Sequence, residues 1–205
     1  MPGFLVFQYN QNEKMRYCYF ISFVIITVLC AAPTILSGQT FAAKGNIPYL
    51  ATATPNAGLE LGVSPKVTAE LTYGLNPFSF GNDKQWKHWL AEVEVRYWLC
   101  ERFYGHFLGL HAGASEYNIS GIKLPISNFS RNSRYEGWAV LGGVSYGYSL
   151  VLGGRWNMEM TLGLGIVSTK YNRYECFHCG NFTGSENKVF LAPTKLGLSV
   201  VYMLK

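Results

Sequence analysis

The chain has 205 residues, of which 49% are hydrophobic, 16% are aromatic and only 14% are charged, and its formal net charge is +5. This length and hydrophobic content are enough to bury one sizeable core and exclude a disordered chain, while the abundance of Gly, Tyr and Phe favours strands and turns over helices. The positive charge is modest and no Lys/Arg cluster or basic helix accompanies it, so a nucleic-acid partner is not expected.

The first recognisable element is an apolar run over residues 18–32, which is preceded by basic residues and followed by a proline and by small or polar residues. Its length of about 15 residues matches the core of a secretory signal and is shorter than the roughly 20 residues that cross a bilayer as a helix. The run therefore predicts a cleaved signal peptide, with a retained anchor as the alternative.

We predict that residues 1–39 form the signal region, that cleavage falls between Gly38 and Ala43, and that residues 40–205 form the mature domain. Counted from Met1, the signal region exceeds the usual length of about 15–30 residues, and a translation start at Met15 brings it within that range.

Most of the mature chain alternates between apolar and polar residues with a period of two, which is typical of strands whose two faces meet different surroundings. In residues 156–170 the even positions carry mainly large apolar side chains and the odd positions carry mainly polar or small ones. The same reasoning assigns Phe190 and Ala192 to the apolar face of the last strand. Seven strands are predicted, at residues 57–63, 67–76, 88–99, 106–119, 135–151, 156–170 and 189–204.

The polar face of these strands is dominated by Gly, Ser, Thr and a few carboxylates, which suits a crowded interior, whereas the other face is apolar. An apolar outside around a polar inside is the pattern of a membrane β-barrel, and a soluble lipocalin-like barrel has the opposite pattern. Short connections also alternate with long ones along the chain, as in bacterial barrels with short periplasmic turns and longer external loops.

Single-chain bacterial barrels have an even number of strands, so an eighth strand is needed. We predict it at residues 46–53, joined to the next strand by a tight outer turn at residues 54–57; the alternative is one bent strand over residues 46–63. The predicted fold is thus all-β, an eight-stranded antiparallel up-and-down transmembrane β-barrel preceded by a cleaved signal peptide. Its predicted location is the outer membrane of a Gram-negative bacterium, in contact with outer-membrane lipid and lipopolysaccharide.

Aromatic residues cluster near the predicted strand ends, as the interface girdles of a membrane barrel require, although ordinary packing on a soluble sheet is the alternative. The candidates for the outer girdle are Phe78, Trp86, Trp89, Tyr135, Trp138 and Tyr171. The candidates for the periplasmic girdle are Tyr97, Phe103, Tyr104, Trp156 and Tyr202.

Several motifs resemble a known family in their order along the chain. They include YLATATPN at 49–56, YGLNPF at 73–78, WKHW at 86–89, VRYWLCERF at 95–103 and GHFLGLH at 105–111. The chain resembles a Bacteroidetes outer-membrane barrel family known as domain of unknown function 3575, over essentially the whole mature sequence. The resemblance implies an outer-membrane location and fimbrial or adhesin proteins as partners. It implies no established activity and no catalytic residues.

An eight-stranded barrel is just wide enough for its own side chains to fill. The alternation directs five carboxylates and two permanent cations inward, and charges in such an interior must pair or be hydrated. We interpret this set as a structural network of ion pairs, with a proton- or ligand-gated pathway as the alternative. The predicted interior polar network consists of Glu60, Glu70, Glu92, Glu94, Arg96, His111, Glu159 and Lys195.

Cys176 and Cys179 lie in the longest predicted outer loop. A structural zinc site normally needs four ligands, usually from two such pairs, and no second pair is present in the mature sequence. We therefore predict a local disulfide between Cys176 and Cys179, with metal binding as the alternative.

The residue types of a hydrolytic site are present in His88, His106, His111, Ser115 and Glu116, but the alternation scatters them over both faces. The leading hypothesis is a non-enzymatic barrel with a structural or surface-interaction role, without a cofactor. The alternatives are a small barrel enzyme acting on envelope lipids and a narrow solute channel. Residues that mix cations and aromatics in the outer loops are candidates for surface contacts: Lys123, Phe129, Arg131, Arg134, Tyr174 and Phe182.

Overall fold

A computed structural model of the chain describes residues 41–80, 84–120, 134–174 and 182–204. The predicted signal region lies outside these residues, as do the predicted Cys176–Cys179 disulfide and the surface-contact candidates Lys123, Phe129 and Arg131. None of the helices within the described ranges is long and apolar enough to cross a membrane.

Nine strands and one short helix make up the described part of the chain. They are β1 (Phe41–Asn46), α1 (Ile47–Ala51), β2 (Asn56–Ser64), β3 (Val67–Asn76), β4 (Ser79–Phe80), β5 (Lys84–Trp98), β6 (Gly105–Ser120), β7 (Arg134–Gly153), β8 (Trp156–Tyr174) and β9 (Phe182–Met203). All pairings are antiparallel, and the sheet closes into a ring because β1 pairs with β9 and β3 pairs with β5. Among the described residues the two-residue β4 pairs with β5 alone, and the other eight strands form the ring.

The predicted strand at residues 46–53 is wrong, and the eighth strand of the ring is β1 at Phe41–Asn46. Residues 47–51 form α1 instead, with Pro48 in its first turn. Proline is favourable there because its fixed φ suits a helix start and its missing N–H is not needed for an intrahelical bond. Asn56, predicted within a tight turn, already belongs to β2.

The alternation predicted for the long strands is confirmed in β8. Met160 and Leu162 are 60% and 64% exposed on the outside of the ring, whereas Glu159 and Thr161 are 2% and 3% exposed inside it.

The assignment of Phe190 and Ala192 to the outer face is wrong. Between Gly163 and Leu164 of β8 the register of β9 shifts from Lys195 to Pro193, so Thr194 is an extra residue in a β-bulge. A one-residue insertion reverses which face each following side chain takes. Phe190 and Ala192 consequently pair with Val167 and Gly165, whose side of β8 faces the interior.

Three predicted girdle residues are buried rather than lipid-facing. Tyr135 and Tyr171 pack edge to face inside the ring, with ring centroids 5.5 Å apart, and Phe103 is 6% exposed. Other candidates lie on the outside, among them Trp138 and Trp156, which are 51% and 49% exposed.

The wall of the ring has unequal height. We call the end that holds the short β2–β3, β5–β6 and β7–β8 connections the turn end, and the opposite end the loop end. β1 and β2 have 6 and 9 residues, whereas β7, β8 and β9 have 20, 19 and 22. The pairing of β1 with β9 stops at Asn46 and Ser199, although β9 continues to Phe182 toward the loop end.

Candidate functional site

An apolar layer closes the interior near the turn end. Trp98 packs against Phe107 and Phe103, with ring centroids 4.8 Å and 6.0 Å apart, and Ala42 and Val201 are buried in the same region of the ring. We call these five residues the apolar floor.

The β5–β6 turn inserts its own side chain into this floor. Phe103 has a positive φ of 64°, which is uncommon for a residue other than glycine. Its carbonyl accepts hydrogen bonds from the Ser149 hydroxyl (3.1 Å) and the Asn157 amide (2.9 Å). These bonds hold the turn in a conformation that directs the Phe103 side chain into the interior of the sheet.

Arg96 lies at the centre of the interior, above the apolar floor. Its guanidinium nitrogens are 3.1 Å from Glu60, 2.8 Å from Glu70, 2.7 Å from Glu94 and 2.9 Å from Glu159. The guanidinium carbon also lies 4.5 Å from the centre of the Phe107 ring in the floor. One cation thus contacts carboxylates from β2, β3, β5 and β8, and it also packs against the apolar floor.

Two lysines complete the arrangement. The ammonium of Lys44 contacts Glu60 and lies 2.9 Å from Glu70 and 2.8 Å from Glu159. The ammonium of Lys195 lies 3.3 Å from Glu70, 2.5 Å from Glu92 and 2.7 Å from Glu94. We call the eight residues Lys44, Glu60, Glu70, Glu92, Glu94, Arg96, Glu159 and Lys195 the ion cluster.

The ion cluster has five carboxylates and three cations, an excess of two carboxylates. Buried ion pairs are tolerated only where further hydrogen bonds satisfy the remaining polar atoms. Thr68 donates to Glu60, Ser145 donates to Glu94, and Thr161 donates to Glu159 at 3.3 Å. The predicted small polar residues of the interior therefore act as hydrogen-bond partners of the carboxylates.

Gly109 illustrates why glycine is needed beside the ion cluster. A Cβ at this position would collide with the carboxylate of Glu94 and the hydroxyl of Ser145. The close approach of these two groups requires a residue without a side chain at position 109.

His111 is the one predicted network residue that lies beside the ion cluster rather than within it. It is 5% exposed, and its Nε2 is 2.7 Å from the hydroxyl of Thr194, the bulge residue of β9. Its Nδ1 has no hydrogen-bond partner among the described residues. The structure thus brings seven of the eight predicted residues into one cluster and adds Lys44.

Lys44 was not predicted as a member, because the first strand was expected to begin at residue 46. Reading the alternation back to Phe41 would have put Ala42, Lys44 and Asn46 on one side of that strand. A cavity of about 40 Å³, which has room for a few water molecules, adjoins the cluster on the side of Asn46 and Tyr49.

At the loop end, three of the predicted surface-contact residues come together. The guanidinium of Arg134 lies 5.8 Å from the centre of the Tyr174 ring, which packs edge to face on Phe182 at 6.0 Å. Arg134 also donates to Asn118 and Glu136, both at 3.0 Å. The adjoining ends of β7, β8 and β9 thus present a cation and two aromatic rings on one surface.

A second group of residues at the loop end consists of Tyr171, Glu186 and Lys188. A contact of 2.9 Å with Lys188 and a hydrogen bond of 2.8 Å from the Tyr171 hydroxyl lower the pKa of Glu186 below its usual value. A depressed pKa means that the interaction favours the folded state above the unfolded-state pKa and is lost as the pH falls through the folded-state pKa.

We expect the substitution Lys188→Gln to raise the pKa of Glu186, because the larger of the two favourable interactions is weakened. The measurement is an NMR titration of the side-chain carboxyl carbon, with Lys66→Gln at the turn end as the control that leaves this pKa unchanged. An unchanged Glu186 titration in Lys188→Gln would contradict the assignment.

The residue types considered for hydrolysis are not brought into one site. His106 lies on the outside, where its Nδ1 is 2.7 Å from the Tyr146 hydroxyl, whereas His111 is buried inside. Ser115 donates to the backbone carbonyl of Trp89, and the Trp89 indole donates to Glu116. Within the described ranges, no group of three or more His, Cys, Asp or Glu residues is placed to hold a metal ion.

Comparison with protein families gives a match over residues 23–204 to the family described as protein of unknown function (DUF3575). Comparisons with curated proteins and with solved structures give no match.

Proposed function

The chain belongs to the DUF3575 family, whose model covers residues 23–204, and on that premise we propose that it is a non-enzymatic β-barrel of the outer membrane of a Gram-negative bacterium. Its role is structural or one of surface interaction, and a cleaved signal peptide directs its export.

The observation that carries this proposal is the apolar outer face of the ring. Large hydrophobic side chains on six of its strands are 54–67% exposed, namely Leu71, Val95, Leu110, Val144, Leu162 and Leu196. An apolar surface this extensive is unfavourable in water, whereas hydrocarbon accommodates it. Because the sheet closes through the pairing of β1 with β9, most of its backbone groups are also paired internally, which suits a segment that spans a bilayer.

The dimensions of β8 agree with a bilayer span. From Trp156 to Ile166 its outward residues are uncharged, and the next charged outward residue is Lys170. Ten residues at about 3.3 Å each, tilted by about 40°, rise by roughly 25 Å, which is the height of the apolar band of outer-membrane barrels. Trp156 packs against Tyr202 at the turn end of this band, at a centroid distance of 4.7 Å.

The filled interior supports a structural or surface role. The apolar floor and the ion cluster together occupy the inside of the ring between the turn end and α1. The Arg134, Tyr174 and Phe182 surface offers a cation and aromatic rings to lipopolysaccharide or to fimbrial or adhesin proteins, the partners that the family resemblance implies.

Labelling of single cysteines tests the location, in a background that lacks the native cysteines. We expect Leu162→Cys to react with a lipid-soluble maleimide and to resist a charged one, because its side chain faces hydrocarbon. Lys170→Cys, on the same face of β8, is the matched control that reacts with the charged reagent. The protein should require detergent for extraction; a soluble, monodisperse protein obtained without detergent would refute the proposal.

Two further measurements separate the proposed role from an enzyme and from a channel. Planar bilayers containing the protein should show no stepwise conductance, because its interior is filled. Deletion of the gene should leave the acyl patterns of lipid A and phospholipids unchanged. Regular conductance steps or an altered acyl pattern would replace the structural role with a channel or an enzyme.

A further inference from the structure

The ion cluster contains more carboxylates than its own cations can balance. Its five carboxylates face three cations, and each of the five glutamates is at most 5% exposed. With every group ionised, three positive and five negative charges would leave a net charge of −2 inside the ring. An unbalanced ion is very unfavourable at a buried site, and in proteins such a group becomes neutral by a change of protonation.

Three further titratable groups lie near the cluster without belonging to it. Tyr49 of α1 lines the adjoining cavity, and its phenol carries no positive charge in either form. Arg102 of the β5–β6 turn packs against Gly62, nearer the turn end. His111 of β6 lies beside the cluster, and its protonation would reduce the excess by one. From β7 the neutral Ser145 faces the cluster. The groups in mutual contact therefore hold an excess of two carboxylates, or of one when His111 is protonated.

The cavity of about 40 Å³ gives these carboxylates a source of protons. Glu70, Glu92 and Glu159 line it from β3, β5 and β8. Asn46 lines it as well, and its Oδ1 is buried without a hydrogen-bond partner among the described residues. A water molecule in the cavity would satisfy this oxygen and would also contact the carboxylates. Because the apolar floor lies on the turn-end side of the cluster, we expect proton exchange through the cavity, on the side of α1.

We propose that the ion cluster is a proton-binding site. It holds at least one proton that its five carboxylates share at neutral pH, and it exchanges this proton with water in the adjoining cavity. Carboxylates in such close contact titrate as a unit, so the proton belongs to the cluster rather than to one residue. The inference concerns the interior of the ring and does not depend on the membrane location.

A bound proton makes the stability of the ring depend on pH. In the unfolded chain the glutamates have lost their protons above about pH 6, whereas the folded cluster retains at least one. The state that binds more protons is favoured at lower pH, so the ring becomes less stable as the pH rises above this value. For each retained proton, the ratio of folded to unfolded protein falls by up to about tenfold per pH unit. The cluster thereby couples closure of the ring to the pH of its surroundings.

The test is the unfolding equilibrium of the full chain in detergent micelles between about pH 6 and pH 8. We expect the ratio of folded to unfolded protein to fall at least about threefold from pH 7 to pH 8. Glu92→Gln should weaken this dependence, and Glu92→Gln combined with Glu159→Gln should abolish it, because three carboxylates then face three cations. Glu92 is chosen because it contacts Lys195 and no other cation among the described residues. The control is Glu101→Gln, which changes an exposed carboxyl at the turn end and should leave the dependence unchanged.

Infrared spectroscopy provides a second measurement that requires no unfolding. The folded protein at neutral pH should show the carbonyl stretch of a protonated carboxyl group, and the double variant should lack it. Stability that is constant or rises from pH 6 to pH 8, or a spectrum of the unsubstituted chain without this band, would overturn the proposal. So would a pH dependence that His111→Asn abolishes alone, since the proton would then reside on the imidazole. Dependence on the concentration of Na⁺ or K⁺ instead of on pH would identify a metal counter-ion and overturn it too. Protein recovered without detergent would refute the membrane location but leave this test unaffected.

Discussion

Replacement of Arg96 by methionine is expected to lower the free energy of unfolding by about 3–5 kcal/mol or more, the cost of breaking a buried ion pair by removing one partner. The Arg96 side chain is 1% exposed and contacts four carboxylates that are themselves buried. Without the guanidinium, the excess of carboxylates over cations in the ion cluster rises from two to three. Methionine fills similar space but supplies no charge. The decrease in the free energy of unfolding therefore reports the lost electrostatic interactions rather than the creation of a cavity.

The measurement is denaturant unfolding in detergent micelles, followed by the shift between folded and unfolded bands on a gel. Arg134→Met is the matched control, because its ion pair with Glu136 is partly exposed and worth about 1 kcal/mol or less. Arg96→Lys should fall between the two, since an ammonium restores the charge but cannot span the four carboxylates. Equal losses for Arg96→Met and Arg134→Met would mean that the ion cluster does not stabilise the ring.

A double substitution separates the missing cation from the remaining carboxylates. Adding Glu159→Gln to Arg96→Met removes one of the carboxylates that lose their contact with Arg96 and returns the excess of carboxylates from three to two, so the double variant should be more stable than Arg96→Met alone. A non-additive recovery of this kind is the signature of residues that share one network.

The interior side of the strands could be predicted because alternation is a local property. Each strand shows from its own residues which side chains share a face, so Glu70, Glu94 and Glu159 could be assigned inward without knowledge of their neighbours. Their distances to Arg96 could not be predicted, because they depend on the register between strands that lie far apart in the sequence. The sequence therefore indicated the members of the network but not its centre.

The errors arose where one residue changes a local pattern. Pro48 favours a helix where a strand was predicted, and Thr194 adds a residue to β9 and reverses the faces of Phe190 and Ala192. A bulge cannot be recognised from the alternation when apolar residues occupy both faces of the strand, as they do in residues 189–193. The length of β9 that extends beyond β1 could not be predicted either, because a strand's sequence does not show how far its neighbour extends.

Lys44 is the most consequential of the residues that the sequence analysis missed. It is the only charged residue of β1, and its ammonium joins that strand to Glu60 of β2, Glu70 of β3 and Glu159 of β8. The backbone pairing of β1 with β9 covers only residues 42–46, so the contacts of this side chain with three other strands add to a short ladder at the point where the ring closes.

We therefore expect Lys44→Met to cost about 3–5 kcal/mol, as for other broken buried pairs, and to weaken β1 before any other strand. Hydrogen exchange followed by mass spectrometry should show faster exchange in a peptide covering residues 41–46, while peptides from β7 keep their protection. Lys188→Met is the control, since that side chain is 53% exposed and its loss should leave the exchange of β1 unchanged. Uniformly faster exchange in all strands would mean that Lys44 stabilises the ring as a whole. Faster exchange confined to β1 would mean that the Lys44 ammonium secures the strand at which the ring closes, because no other charged side chain of β1 can replace it.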